Sequence, residues 1–373
     1  MQVKRRVVGP LTAGLTALLL SLSACTHAGQ AAPPTDGIVV DGLASIDVRP
    51  VDYGGQRAIT AVFGSISPGR DVVLQRMTSN GWQDVATSKQ DAYGEVNFVA
   101  ADEGKDIFRA LASASPSQPA VATPQASAGQ QWTTAMSSSF SGDTLKKSEW
   151  KARGTGSYAA SGRHCAAQYP SEITVADGKL QLSVSEESAP ENIAKAKNAG
   201  CESALVLRNA MISTDGLATF RTGLAAARAR FPESRGVRGG IWLQSIGTSD
   251  IEMINSYGYG RGLSSALITS GKHYPGSDED AAVLAEAVKD RAWWSDYHVF
   301  SVEWTNTEVI FRIDGELTRR IDRTIPDLDY YLVIGLLSPD SDQAQLAKLA
   351  DAAAGSQLPQ TMSVDWVKVW NRA

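Results

Sequence analysis

The stretch Val309-Ile310-Phe311-Arg312-Ile313-Asp314-Gly315-Glu316-Leu317 sets the class of fold. Val309, Phe311 and Ile313 are apolar at every second position, the period of a strand with one buried face. Asp314-Gly315 then supplies a tight turn, and Leu317 resumes the apolar register, so the stretch reads as a hairpin. The same device stands at Val175-Ala176-Asp177-Gly178, followed by Leu180, Leu182 and Val184. Phe300-Ser301-Val302-Glu303-Trp304 and Met362-Ser363-Val364-Asp365-Trp366 add two more alternating runs. Many antiparallel strands with few helices predict an all-β, two-sheet sandwich over residues 131–373.

Three stretches around these strands carry helical signals. Ser188-Ala189-Pro190-Glu191 reads as a capping box before an Ala/Lys-rich run that stops near Gly200. Ser277-Asp278-Glu279-Asp280 precedes residues 281–288, and Ser341 precedes residues 343–353 with Gly355 beyond. Each is expected as a short helix in a loop, and loops at one rim of a sandwich often shape a cleft. Cys165 and Cys201 flank the first of them. In an exported chain the default reading is a disulfide, the alternative being two buried free thiols. No second pair of ligands stands nearby to make a metal site.

Toward the amino end, residues 37–112 show short alternating runs broken by turns, among them Ala58 to Phe63 before Pro68-Gly69, and Val72 to Gln75 before Ser79-Asn80-Gly81. That spacing predicts a small β-sandwich. It resembles the immunoglobulin-like modules of exported proteins, and is expected to act as a spacer or passive adhesion module. Residues 113–130, rich in Ser, Pro, Ala and Gln, read as a linker. Before these, Lys4, Arg5 and Arg6 precede a short apolar run from Leu11 to Leu22, the pattern of an export signal over residues 1–24. Leu22-Ser23-Ala24-Cys25 resembles a bacterial lipobox, which implies acylation of Cys25. The other reading is an ordinary signal cut near Ala24. Residues 25–36 then form a tether. The expected location is the outer face of a bacterial cytoplasmic membrane, or the medium.

Composition excludes some partners. The chain of 373 residues has a formal charge of −5, which becomes −8 once the three leader cations are removed. With no basic stripe, nucleic acid is not an expected partner. The chain is expected to be a monomer without a cofactor.

Six segments of the second unit, taken in order, resemble glycoside hydrolase family 16, whose fold is a concanavalin-like jelly roll. They are Phe140 to Trp150, Asp177 to Leu182, Gly239-Gly240-Ile241-Trp242-Leu243-Gln244-Ser245, Asp296 to Trp304, the hairpin through Asp314-Gly315, and Met362 to Trp370. One departure is Ser138-Ser139, where the family carries an acidic pair. Some members bind calcium on the outer face, for which Asp365 is the one candidate, but no metal is predicted.

The family's catalytic strand reads Glu-x-Asp-x-x-Glu, with a bulge that brings the last residue to the face of the first two. The equivalent here is Asp250-Ile251-Glu252-Met253-Ile254-Asn255. The resemblance places Asp250 at the nucleophile, Glu252 at the central Asp and Asn255 at the acid/base. Retaining glycosidases work with two carboxyls about 5–5.5 Å apart, one attacking and one protonating. An amide at 255 has no proton to give, so the family mechanism cannot run unchanged. Three outcomes stand: Asp250 and Glu252 divide the roles differently, a loop residue such as His273, Asp278 or Glu286 supplies the proton, or the site binds sugar without cutting it.

Trp242 matches a cleft tryptophan whose indole would stack on a pyranose, the alternative being a core position. Tyr257, Arg230 and His273 are further candidates for sugar contact. Arg228 and Arg230 read equally as outer-face residues, and one of Trp293-Trp294 is expected in the cleft. His298 is expected to be structural. The implied function is hydrolysis of a β-linked polysaccharide or cell-envelope glycan by a retaining route. A non-catalytic glycan-binding lipoprotein is the competing reading.

Overall fold

The computed structural model describes residues 38–154, 156–158, 164–234, 236–246, 249–259, 262–274, 289–338 and 358–373. The leader, Cys25, the tether, the second and third helical stretches, Asp278 and Glu286 lie outside them.

Both Asp-Gly turns form as hairpins. Asp177 and Gly178 have φ of 54° and 68°, and Asp314 and Gly315 have 51° and 91°. Positive φ at both central residues matches the right-handed twist of the flanking strands. From the first hairpin grows Lys179–Glu186, whose Leu180, Leu182 and Val184 are fully buried. From the second come Glu308–Ile313 and Glu316–Asp322.

These strands belong to a two-layer sandwich. One layer, here the site sheet, runs in the order Lys272–Tyr274, Leu263–Thr269, Ser249–Ser256, Arg238–Ser245, Tyr330–Leu337, Leu207–Ser213. The back sheet runs Lys179–Glu186, Gln360–Arg372, Gly223–Arg230, His298–Trp304, Glu308–Ile313, Glu316–Asp322. The layers join where Ser185 and Glu186 pair with Arg208 and Leu207. Between them Ile241, Leu243, Ile251 and Ile334 of the site sheet meet Ala225, Ala227, Phe300 and Val302 of the back sheet in one core. Burying each large aliphatic side chain contributes roughly 1.5–3 kcal/mol.

The amino-terminal strands form a smaller sandwich. Ser45–Val48, Gln56–Val62 and Glu95–Ala101 make one sheet, and Asp71–Thr78, Gly81–Lys89 and Ile107–Ala112 anchor the other. Val96, Phe98 and Ala100 point inward at every second position, toward Ile46, Ile59, Leu74 and Phe108. Residues 113–130 do not form a free linker. Val121–Ala122 and Ala126–Ser127 both pair with Ile107–Ala112, which makes this segment part of the small sandwich. Nor is the small sandwich only a spacer. Val51, Tyr53 and Ala58 pack with Leu224, Ala226, Val299 and Trp370 on the outer face of the back sheet.

The first helical stretch forms Pro190–Asn198, yet Ser188 does not cap it. Ala189 occupies the N-cap without a side-chain hydrogen bond. Glu187 does the work instead, accepting from the Ala189 N–H at 3.0 Å and from Asn192 Nδ2 at 3.0 Å. Pro190 at the first helical position needs no partner for a missing N–H. Beside this helix, a disulfide joins Cys165 to Cys201.

Candidate active site

The motif strand Ser249–Ser256 is antiparallel to Arg238–Ser245, with Asp250 opposite Gln244 and Glu252 opposite Trp242. The register then shifts, so that Ile254 faces Ile241 and Asn255 faces Gly240. Met253 is the extra residue of a bulge. The Ser265 hydroxyl donates to the Met253 carbonyl at 2.7 Å and satisfies the group the bulge frees. Ile251 and Ile254 stay in the core while Asp250, Glu252 and Asn255 share the outer face of the site sheet.

Arg238 organises that face. Its Nε donates to Asn255 Oδ1 at 2.9 Å, and its Nη2 donates to Glu252 Oε1 at 2.5 Å. Gly240 makes room: a Cβ there would come within 2.9 Å of Asn255 Oδ1. Glu252 is 9% exposed and Asn255 is fully buried, so both lie closed beneath the guanidinium. Glu252, a candidate to share the catalytic roles with Asp250, is thus held in an ion pair at this face. Only Asp250 stays half-buried. Burial first, and the charge of Glu252 second, push the Asp250 carboxyl above its usual range, against the Ser245 backbone, Arg238 and Arg153. Arg153 reaches the same face and donates to Gln244 Oε1 at 2.9 Å.

Trp242 is not a tryptophan of the main core. It packs half-buried against Met211, Tyr331, Val333 and Leu337, a cluster on the outer face. Its centroid lies 6.0 Å from the Arg238 guanidinium carbon. Tyr257, just past the motif strand, is 37% exposed. His273 sits in Lys272–Tyr274 on the ladder row that runs Asp250, Ile268, His273.

Arg230 does not join them. It ends the back-sheet strand Gly223–Arg230, with its guanidinium over the Tyr297 ring at 5.3 Å. Along that strand Arg228 and Arg230 share the parity of Leu224 and Ala226, which face the small sandwich, so both belong to the outer face of the back sheet. Arg228 Nη1 holds Asp365 Oδ2 at 2.6 Å, which occupies the carboxylate considered for calcium. Among the described residues no three His, Cys, Asp or Glu cluster as a metal site. His298 bonds Asp314 Oδ2 at 2.6 Å and the Trp293 carbonyl at 2.9 Å, and it stacks on Trp293. Trp294 is buried in the core.

Arg238, Arg153 and Gln244 were not read from the sequence. Parity held a signal for two of them: 238, 240, 242 and 244 alternate along one strand, so placing Trp242 outward places Arg238 and Gln244 beside it. Among the described residues the face offers the Asp250 carboxyl, the Arg238–Glu252 ion pair, an amide that cannot give a proton, and an indole wall.

Comparison with solved structures finds the same fold. The laminarinase from Rhodothermus marinus is 19% identical, with 65% of this chain and 98% of that one covered and a TM-score of 0.51. The laminarinase catalytic domain from Thermotoga maritima MSB8 is 17% identical over 65% of this chain and all of that one, with a TM-score of 0.49. The endo-beta-1,3-glucanase from Pyrococcus furiosus is 15% identical over 65% and 95%, with a TM-score of 0.49. No curated protein matches the sequence. The family model described as glycosyl hydrolases family 16 matches residues 167–367, more than half of the chain and all of the motif strand. The jelly roll, the bulged strand and that match together make the chain a member of glycosyl hydrolases family 16.

Proposed function

We propose that this chain hydrolyses O-glycosidic bonds of a β-linked polysaccharide or cell-envelope glycan outside the cell. One observation carries the reading: Asp250 and Glu252 share the outer face of the site sheet beside an outward-facing tryptophan. A carboxyl raised by burial and a neighbouring charge stays protonated over a wider pH range, which suits a proton donor to a leaving oxygen. Solved structures of the same fold bear names of β-1,3-glucan-cleaving enzymes, so a soluble β-1,3-glucan is the first substrate to try. The retaining course is the family's, and the export-type leader with Cys25 supports a site outside the cell, anchored at the outer face of the cytoplasmic membrane or released.

The test is new reducing ends from a panel of soluble glycans incubated with the full chain. Asp250→Ala and Glu252→Ala are each expected to cut the rate by about 100-fold or more, the scale of a lost acid/base group. The anomer of the first product, read by NMR, checks the retaining course. Binding without product from any glycan would retire the hydrolase reading. A second reading then takes its place, that of a glycan-binding envelope protein. The amide of Asn255 at the acid/base position favours it.

A further inference from the structure

We propose that Arg238 is the residue a bound glycan meets where the family motif would present its last side chain, and that Asn255 acts only through it. The inference rests on the glycan reading above and names the group that makes the contact. The Arg238 side chain is 32% exposed, whereas that of Glu252 is 12% exposed and Asn255 is fully buried. A ligand on this face therefore touches the guanidinium before it can touch either residue beneath.

Guanidinium chemistry defines what that contact is. The group has five N–H donors in a plane and no acceptor. One, on Nε, goes to Asn255, and one, on Nη2, goes to Glu252. Because arginine can only donate, Asn255 must turn its oxygen toward it, and the amide orientation is thereby settled. The cost is visible: Asn255 Nδ2 is buried with no hydrogen-bond partner. Two fixed acceptors on one side hold the fork still, so its remaining donors are preorganised. With the Trp242 indole alongside, the face offers donors for sugar hydroxyl, ring or bridging oxygens and an apolar wall for the sugar's C–H face. Arginine keeps its proton, so this position binds, and proton exchange is left to Asp250.

The test is equilibrium binding of the full chain to a soluble β-1,3-glucan, with melting temperature followed in parallel. Arg238→Lys keeps the charge but not the fork, and is expected to bind at least 10-fold more weakly with little change in melting. Asn255→Leu removes the acceptor that steadies Nε and is expected to weaken binding several-fold. The double variant should match Arg238→Lys within about 2-fold, because Asn255 has no route to the ligand except through Arg238. Wild-type affinity in Arg238→Lys overturns the inference alone, as do additive losses in the double variant. Should Arg238→Lys fail to fold, unchanged affinity in Asn255→Leu overturns it. Wild-type protein that binds no glycan of the panel overturns the glycan reading and this inference with it.

Discussion

Arg49 and Glu303, 254 residues apart in the chain, meet as a two-pronged ion pair: Nε and Nη2 donate to one carboxylate oxygen at 3.0 and 2.9 Å. Both side chains are 5% exposed. Arg312 Nη1 lies 3.6 Å from the same oxygen, and Trp132 donates its indole N–H to nearby Asp47 at 3.1 Å. Burial works against the charge on Glu303, but Arg49 and Arg312 outweigh it and hold the carboxyl below its usual range. Burial, then the Arg49 charge, push Arg312 down to about 10. Removing one partner of such a group strands the others, at about 3–5 kcal/mol. Glu303→Ala is therefore expected to lose that much in urea unfolding, and a loss under about 1 kcal/mol would refute the claim. The sign with pH follows from a native value below the unfolded one. The contribution is present above the ordinary glutamate value near 4.3 and lost as pH falls through the native value.

The same junction makes a second expectation. Leu224, Ala226, Val299 and Trp370 are covered by the small sandwich, and Glu303 and Arg312 are paired there. A chain cut to residues 131–373 would bare that apolar surface and take the two-pronged partner Arg49 from the buried Glu303 carboxylate. It is expected to be insoluble or to melt well below the full chain. A soluble fragment with an unchanged melting temperature would sink the idea that the two sandwiches stabilise each other.

Asp250 should weaken the protein it serves. Its native carboxyl is raised by burial and by Glu252, so the folded state binds more protons than the unfolded state across the interval between the two values. Stability is full below the unfolded value near 3.9 and declines as pH rises through the native one. Asp250→Asn is thus expected to melt higher than wild type at neutral pH, with the gain vanishing in acid. Identical melting curves at neutral pH would contradict the raised carboxyl.

The disulfide between Cys165 and Cys201 spans 36 residues of sequence. In the chain-entropy view a loop of that length contributes about 4 kcal/mol. Replacing both cysteines by serine should lower unfolding free energy by a comparable amount, measured against the wild type kept oxidised. A change under about 1 kcal/mol would place the stabilisation elsewhere.

Local chemistry made much of the fold legible. Asp177-Gly178 and Asp314-Gly315 announce their hairpins because few other residue pairs accept positive φ twice in succession. Residues 113–130 were misread for the opposite reason. Small and polar residues say nothing against a two-residue strand whose hydrogen bonds come entirely from a neighbour, as at Val121–Ala122. Ser188 looked like a cap, but Pro190 and Glu187 moved the helix start by one residue. At the site, the motif named Asp250, Glu252 and Asn255. Their closure under Arg238 was not legible, because its partners lie 14 and 17 residues away across a strand pairing whose bulge sets the alignment.

Residues 360–372 occupy the middle of the back sheet: they pair with Lys179–Glu186 on one side and Gly223–Arg230 on the other, and also hold Trp132–Ser138. Translation delivers this strand after every partner it joins. Until then those partners wait with bare edges, open to pairing with other chains. A nascent polypeptide of this design cannot complete the layer early, which makes the moments just before its last strand docks its most aggregation-prone.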